Sequence, residues 1–221
     1  MMQSIEIPSS KQSSSEARLL LSEFSHRINN EFTSAIGAIS VAAAHSTNNE
    51  AKAVLAAVQD QLENYAQVHH VLQLPEYSSC IDAAAYLRQL CRAISRSKLD
   101  SKGIELRLME RPFRMNSERC WRLGLIVSEL ITNAERHAFR NGDGCIRVEL
   151  LPSQSFVECR ITDDGTNERI ICPGHRLTIV DAIARSLSGT LDQHFGPQGS
   201  TSVLIFPHKP LNKTSRIDVE R

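Results

Sequence analysis

No apolar run in this 221-residue sequence approaches the roughly 18 residues needed to span a bilayer. An excess of one charge is also missing. Lys+Arg is 25 and Asp+Glu is 25, which argues against broad electrostatic binding to nucleic acid or an anionic membrane. Aromatics make up only 5%, favouring helix packing through Leu, Ile, Val and Ala over an aromatic-rich sandwich. No two of the six cysteines (Cys80, Cys91, Cys120, Cys145, Cys159, Cys172) lie within four residues of each other, so zinc-ribbon and thioredoxin-like pairs are absent. They read as reduced thiols of a cytoplasmic protein. The start, MMQSIEIPSSKQSSS, has neither a basic stretch nor an apolar core, so it is no secretory signal. What remains is 41% hydrophobic and 23% charged, a composition suited to a soluble globular chain with one large domain or two small ones.

Residues 1–14 read as a disordered, Ser-rich lead-in. From about Ser15 to Ala44 only Gly37 interrupts a helical pattern in which Leu20, Phe24, Ile28, Ala35, Ile36, Ile39 and Ala42 recur. A polar break follows, and a second helix runs to about Leu72. Its apolar positions Leu55, Val58, Leu62, Tyr65 and Leu72, with His69, step alternately by three and four, the seam of a coiled coil or bundle. Residues 15–75 are therefore expected to form an antiparallel hairpin. One hairpin cannot cover its own stripes, so a homodimeric four-helix bundle is expected.

Pro75 marks the boundary to a second domain, 76–208. Helices are expected over Ile81–Ser97, Asn116–Phe139 and Leu177–Leu187. Strands are expected over Ile104–Met109, Cys145–Leu150, Phe156–Thr162, Thr190–His194 and Ser202–Phe206. That order implies an α+β sandwich with helices on one face of a mixed sheet. Residues 209–221 form a polar tail.

Three segments carry chemistry. In Glu23-Phe24-Ser25-His26-Arg27-Ile28-Asn29-Asn30, the apolar residues point to the seam and turn His26 onto a polar stripe. There an imidazole can attack a phosphoryl group, and Glu23, one turn away, can orient or deprotonate it. In Ser128–Phe139, Glu129, Asn133 and His137 share one helix face. Asn133 can offer Mg²⁺ an oxygen and Glu129 can hold a metal-bound water, while Arg136 and His137 can meet phosphate. In Thr162-Asp163-Asp164-Gly165, a carboxylate at a strand end precedes a tight turn and can accept from an exocyclic amine such as that of adenine. Gly174-His175-Arg176-Leu177 then opens a helix whose free amides can meet phosphate, and Gly199-Ser200-Thr201 enters the last strand.

In this order the segments resemble the catalytic portion of a bacterial sensor histidine kinase, of the class related to the HWE kinases. Glu23, His26, Arg27 and Asn30 match its phosphoacceptor box, and Glu129, Asn133, Arg136 and His137 its N box. Asp163 with Gly165, Gly174 with Leu177, and Gly199 with Thr201 match its glycine boxes. The resemblance implies a dimerisation and phosphotransfer hairpin followed by a Bergerat-type, GHKL ATP-binding domain. In it His26 is the phosphoacceptor, with Glu23 and Asn30 beside it, Asn133 and Glu129 serve Mg²⁺, and Asp163 contacts the adenine of ATP. Glu129, Asn133, Arg136, His137, Gly165, Gly174, Arg176, Gly199 and Thr201 complete the ATP site. Three positions depart from the family pattern: Asn167 stands where a glycine is usual, and His175 and Arg176 replace a Leu-Gly pair. A Cβ blocks close backbone approach to phosphate, although Arg176 can meet phosphate with its own charge.

The expected activity is ATP-dependent phosphorylation of His26 and transfer to an aspartate on a response regulator receiver domain. A degenerate relay passing phosphate between receivers without ATP is the alternative, and a partner-sequestering dimer is a third. Input comes from a separate sensor protein, or the chain is itself a relay. Neither nucleic acid nor membrane insertion is expected.

Overall fold

A computed structural model describes residues 10–75, 77–139, 142–166 and 175–208. The chain divides into two compact units, Met1–Glu76 and Tyr77–Arg221.

The first unit is a helical hairpin of α1 (Ser10–His45) and α2 (Asn49–Val71). Helix α1 begins within the expected lead-in, because no proline or glycine follows Pro8 until Gly37. Residues 1–9 and 209–221 lie outside the described residues. Asn48 caps α2, its Oδ1 accepting from Glu50 N at 2.8 Å and Ala51 N at 3.3 Å. The heptad stripe divides between two directions. Leu55 and Leu62 are half-buried, whereas Val58 and Tyr65 are exposed. Likewise Ile28, Phe32, Ile36 and Ile39 of α1 are half-buried, but Leu20 and Phe24 are 70% and 62% exposed. Two polar pairs span the hairpin: Ser40 Oγ donates to Gln59 Oε1 at 3.0 Å, and His69 Nδ1 lies 3.1 Å from Asn29 Oδ1.

The second unit is a five-stranded sheet with helices on one face. Its strands are β2 (Ile104–Glu110), β4 (Gly144–Pro152), β5 (Phe156–Asp163), β6 (Thr190–Gly196) and β7 (Gly199–Pro207). They lie in the order β2-β4-β5-β7-β6, with β2 and β4 parallel and every other pair antiparallel. Helices α3 (Ala83–Ile94), α4 (Ser117–His137) and α5 (His175–Ser186) complete it. Strand alternation turns Ile146, Val148, Leu150, Val157, Ile161, Leu204 and Phe206 into the core, against Leu87, Leu90, Leu123, Ile126 and Ile131 of the helices. The opposite face carries Arg107, Arg147, Thr162 and Thr201 in register. Asp82 caps α3 through Ala84 N at 2.9 Å and Ala85 N at 3.2 Å.

Four short elements were absent from the sequence expectation. Strands β1 (Cys80–Asp82) and β3 (Arg114–Asn116) form a two-stranded ribbon, too short to show alternation. A π-helical turn, Ser95–Leu99, and a 3₁₀ turn, Asp100–Lys102, follow α3, and Gly103 at φ 71° ends them. Cys91, Cys120 and Cys159 are free and buried, and Cys80 and Cys145 are free and half-buried. Burial pushes the thiols of Cys91 and Cys120 up to about 12, so they stay protonated at neutral pH.

Tyr86 has a buried hydroxyl with no hydrogen-bond partner, packed where a Cβ on Gly124 would fall 2.4 Å from its oxygen. Tyr86→Phe removes an unsatisfied polar atom and should leave stability unchanged or raise it by about 1 kcal/mol. Gly124→Ala forces the ring aside and should cost about 1–3 kcal/mol despite better helix propensity. Urea unfolding of the two variants measures both values, and a less stable Tyr86→Phe protein would contradict this packing.

Candidate active site

The site residues fall into two groups, one on each unit. On α1, His26 and Asn30 are exposed to solvent, as their polar stripe implies. Glu23 Oε1 accepts from Arg27 Nε at 3.1 Å, an i,i+4 pair with both side chains largely exposed. The carboxylate expected to serve His26 is thus engaged by the arginine beside it. Such an exposed pair contributes a few tenths of a kcal/mol, so it can readily exchange.

In the second unit, α4 carries Glu129, Asn133, Arg136 and His137. Glu129 and Asn133 are half-buried, and Arg136 and His137 are exposed in the last turn. Beyond that turn, Ala138 meets the strand end that holds Asp163. Thr166 N donates to Ala138 O at 3.1 Å, and a Cβ on Gly165 would fall 2.4 Å from the Ala138 Cβ. Only glycine allows so close an approach. Asn133 lies five residues before Ala138, about 7.5 Å along the helix axis.

Asp163 is only 8% exposed, and both of its carboxylate oxygens have donors. Gly165 N donates to Oδ1 at 3.2 Å, and the Ser200 hydroxyl donates to Oδ2. The carboxylate is fixed in direction while each oxygen keeps a lone pair for an external donor. Gly199, at φ 122°, abuts the same strand end, where a Cβ would fall 1.9 Å from Asp163 O. Gly199→Ala should therefore destabilise the second unit by about 2–4 kcal/mol. Denaturant unfolding would show this, and an unchanged midpoint would contradict the close approach.

The structure thus gathers Asp163, Gly165 and Gly199 with the end of α4. Thr201 is elsewhere: it pairs in register with Thr162 on the face away from the helices. Its neighbour Ser200 is the residue that meets Asp163. The signal was the buried alternation of Ser202, Leu204 and Phe206, which extends to Ser200 and skips Thr201. Asn167 and Gly174 lie outside the described residues, as do the side chains of His175 and Arg176.

Among the described residues no cluster of three or more His, Cys, Asp or Glu could hold a metal. A cation beside Asn133 and Glu129 would draw its other ligands from phosphate and water, which suits Mg²⁺.

Comparison with known proteins covers both units. Residues 23–98 match the family described as histidine kinase, and residues 84–174 match the histidine kinase-like ATPase domain. Together the two matches run over residues 23–174, in the order of a sensor histidine kinase catalytic core. The sensor histidine kinase PdtaS of Mycolicibacterium smegmatis is 24% identical over 214 residues, covering 88% of this chain and 40% of PdtaS. This core therefore spans under half the length of that relative. Its fold is shared with the histidine kinase domain of the blue-light activated histidine kinase EL346 of Erythrobacter litoralis. There the TM-score is 0.56 at 19% identity, over 79% of this chain and 95% of that one. A solved bacterial phosphotransferase shares the fold with a TM-score of 0.59 at 10% identity, over 90% of this chain and 98% of the other. No helix among the described residues is long and apolar enough to cross a membrane.

Proposed function

We propose that this core phosphorylates His26 from ATP and passes the phosphoryl group to an aspartate of a response regulator receiver domain. The reading is carried by Asp163, a buried carboxylate oriented by Ser200 and Gly165 at the end of the helix bearing Asn133. An amine-bearing base donates to Asp163. Asn133 and Glu129 would hold a Mg²⁺, which would neutralise phosphate charge, and Arg136 and His137 would meet phosphate oxygens. A ring nitrogen of His26 attacks the γ-phosphorus, the bond to the ADP oxygen breaks, and the ring N–H proton passes to Glu23 or to water. The aspartate then attacks the same phosphorus, the P–N bond breaks, and the ring takes a proton back as it leaves, so that His26 ends neutral. Positioning and charge neutralisation supply most of the acceleration. Incubation with γ-labelled ATP and Mg²⁺ tests this: label should appear on protein and be lost in acid, as phosphohistidine is.

A relay that exchanges phosphate between receivers without ATP is the second reading. Asn167, His175 and Arg176 favour it, because side chains there obstruct a glycine-lined path to the phosphates. The shared fold does not choose between the two, since kinases and a phosphotransferase both carry it. Wild-type protein that never labels from ATP yet labels from a phosphorylated receiver would establish the relay.

Both readings place the hairpin in a homodimer. Its support is the apolar surface that a lone hairpin leaves open, including Leu20, Phe24, Val58 and Tyr65. Val58 is 44% exposed in one hairpin, so Val58→Glu should be nearly neutral in a monomer. In a bundle it places a charge in the seam and should cost several kcal/mol, or roughly a hundredfold or more in dimer affinity. Light scattering decides: a wild-type monomer at micromolar concentration would sink the dimer.

A further inference from the structure

We propose that the face of the sheet turned away from the helices holds a binding site for a small, hydroxylated phosphate ester. It goes beyond the nucleotide site, with which it shares only Asp163. A cavity of about 260 Å³ opens there, lined by Arg107, Cys145, Arg147, Thr162, Asp163 and Asp164. Arg107 and Arg147 are direct register partners on the parallel strands β2 and β4, and Thr162 is the partner of Arg147 on β5. Two guanidinium groups and a hydroxyl thus stand in one row across three strands.

Like charges in register repel, and carboxylates offset part of that repulsion here: Glu105 pairs with Arg107, and the charge of Asp164 also acts on it. Arg107 gives one N–H edge to Glu105 Oε2 at 2.6 Å, leaving most of its donors unused. No hydrogen bond or ion pair holds Arg147 among the described residues. Paired guanidinium forks match the oxygens of a phosphate better than a single ammonium would. Asp164 lines the same cavity and acts electrostatically on Arg107. Its Oδ1 accepts from Cys145 N at 2.7 Å, which fixes the carboxylate and leaves the second oxygen as an acceptor. A bare oxyanion is repelled there, whereas a ligand hydroxyl can donate to it. The cavity is therefore bipolar, with donors for phosphate toward Arg107, Arg147 and Thr162 and an acceptor for a hydroxyl at Asp164. Its volume suits a phosphate with a pentose-sized body.

The test is a titration of the full ¹⁵N-labelled chain with ribose 5-phosphate and, separately, with inorganic phosphate, followed through backbone amide shifts. Ribose 5-phosphate should shift the amides of Arg107, Cys145, Arg147 and Thr162 saturably and bind more tightly than the free ion. Arg147→Met, at an exposed position, should weaken binding by about tenfold or more. Thr162→Val, which keeps the side-chain shape, should weaken it severalfold and guards against a folding defect in the first variant. Equal affinity for ester and free ion would overturn the assignment to an ester. Titrations unchanged in both variants, or shifts centred on Asn133 and Ala138 on the helix side, would overturn the site itself.

Discussion

His26→Ala should abolish phosphorylation, whether the phosphate comes from ATP or from a phosphorylated receiver. The substitution removes the attacking nitrogen and nothing structural. The ring is exposed, and its neighbours Glu23 and Arg27 pair with each other, not with it. Stability should stay within about 0.5 kcal/mol of wild type. Unchanged circular dichroism with no acid-labile label is the expected pair of results. Label retained in this variant would move the acceptor elsewhere on the hairpin. His70 is the exposed alternative, because the ring of His69 is half-buried and lies against Asn29.

Asn133→Ala should separate the two phosphate routes. On the proposed reading Asn133 gives the cation one oxygen ligand, so without it labelling from ATP should fall by about a hundredfold or more. Phosphate reaching His26 from a receiver needs no nucleotide, and that exchange should survive. Asn133 is half-buried on the helix face shared with Glu129, so alanine there should cost little stability. Equal loss of both routes would mean that Asn133 holds the fold together and has no role at a metal.

Much of this architecture was legible because its elements are long and strongly periodic. Helix α4 was placed to within two residues at each end, and Asn116 caps it, accepting from Glu118 N at 2.9 Å. Asp163 and Gly165 stood out because an acid and a glycine at a strand end have a narrow set of uses. Three features were not legible, each for a physical reason. The β1–β3 ribbon depends on pairing between segments 34 positions apart, and neither segment shows a period of its own. Which of Ser200 and Thr201 meets Asp163 depends on the register of β7 against β5, a long-range property. The Glu23–Arg27 pair competes with Glu23–His26, and i,i+4 geometry favours the longer, permanently charged partner.

In the hairpin, only Val68 and Val71 among the described residues are buried, whereas the sheet unit closes its own core. The two units should therefore respond differently to dilution. A domain with its own interior unfolds at a fixed denaturant concentration, but one that borrows its interior from a second chain obeys mass action. Diluting the protein should fray the phosphate-accepting helices first, with fast amide exchange there and slow exchange across the sheet. Receptiveness to phosphate would then rise and fall with the abundance of the protein itself.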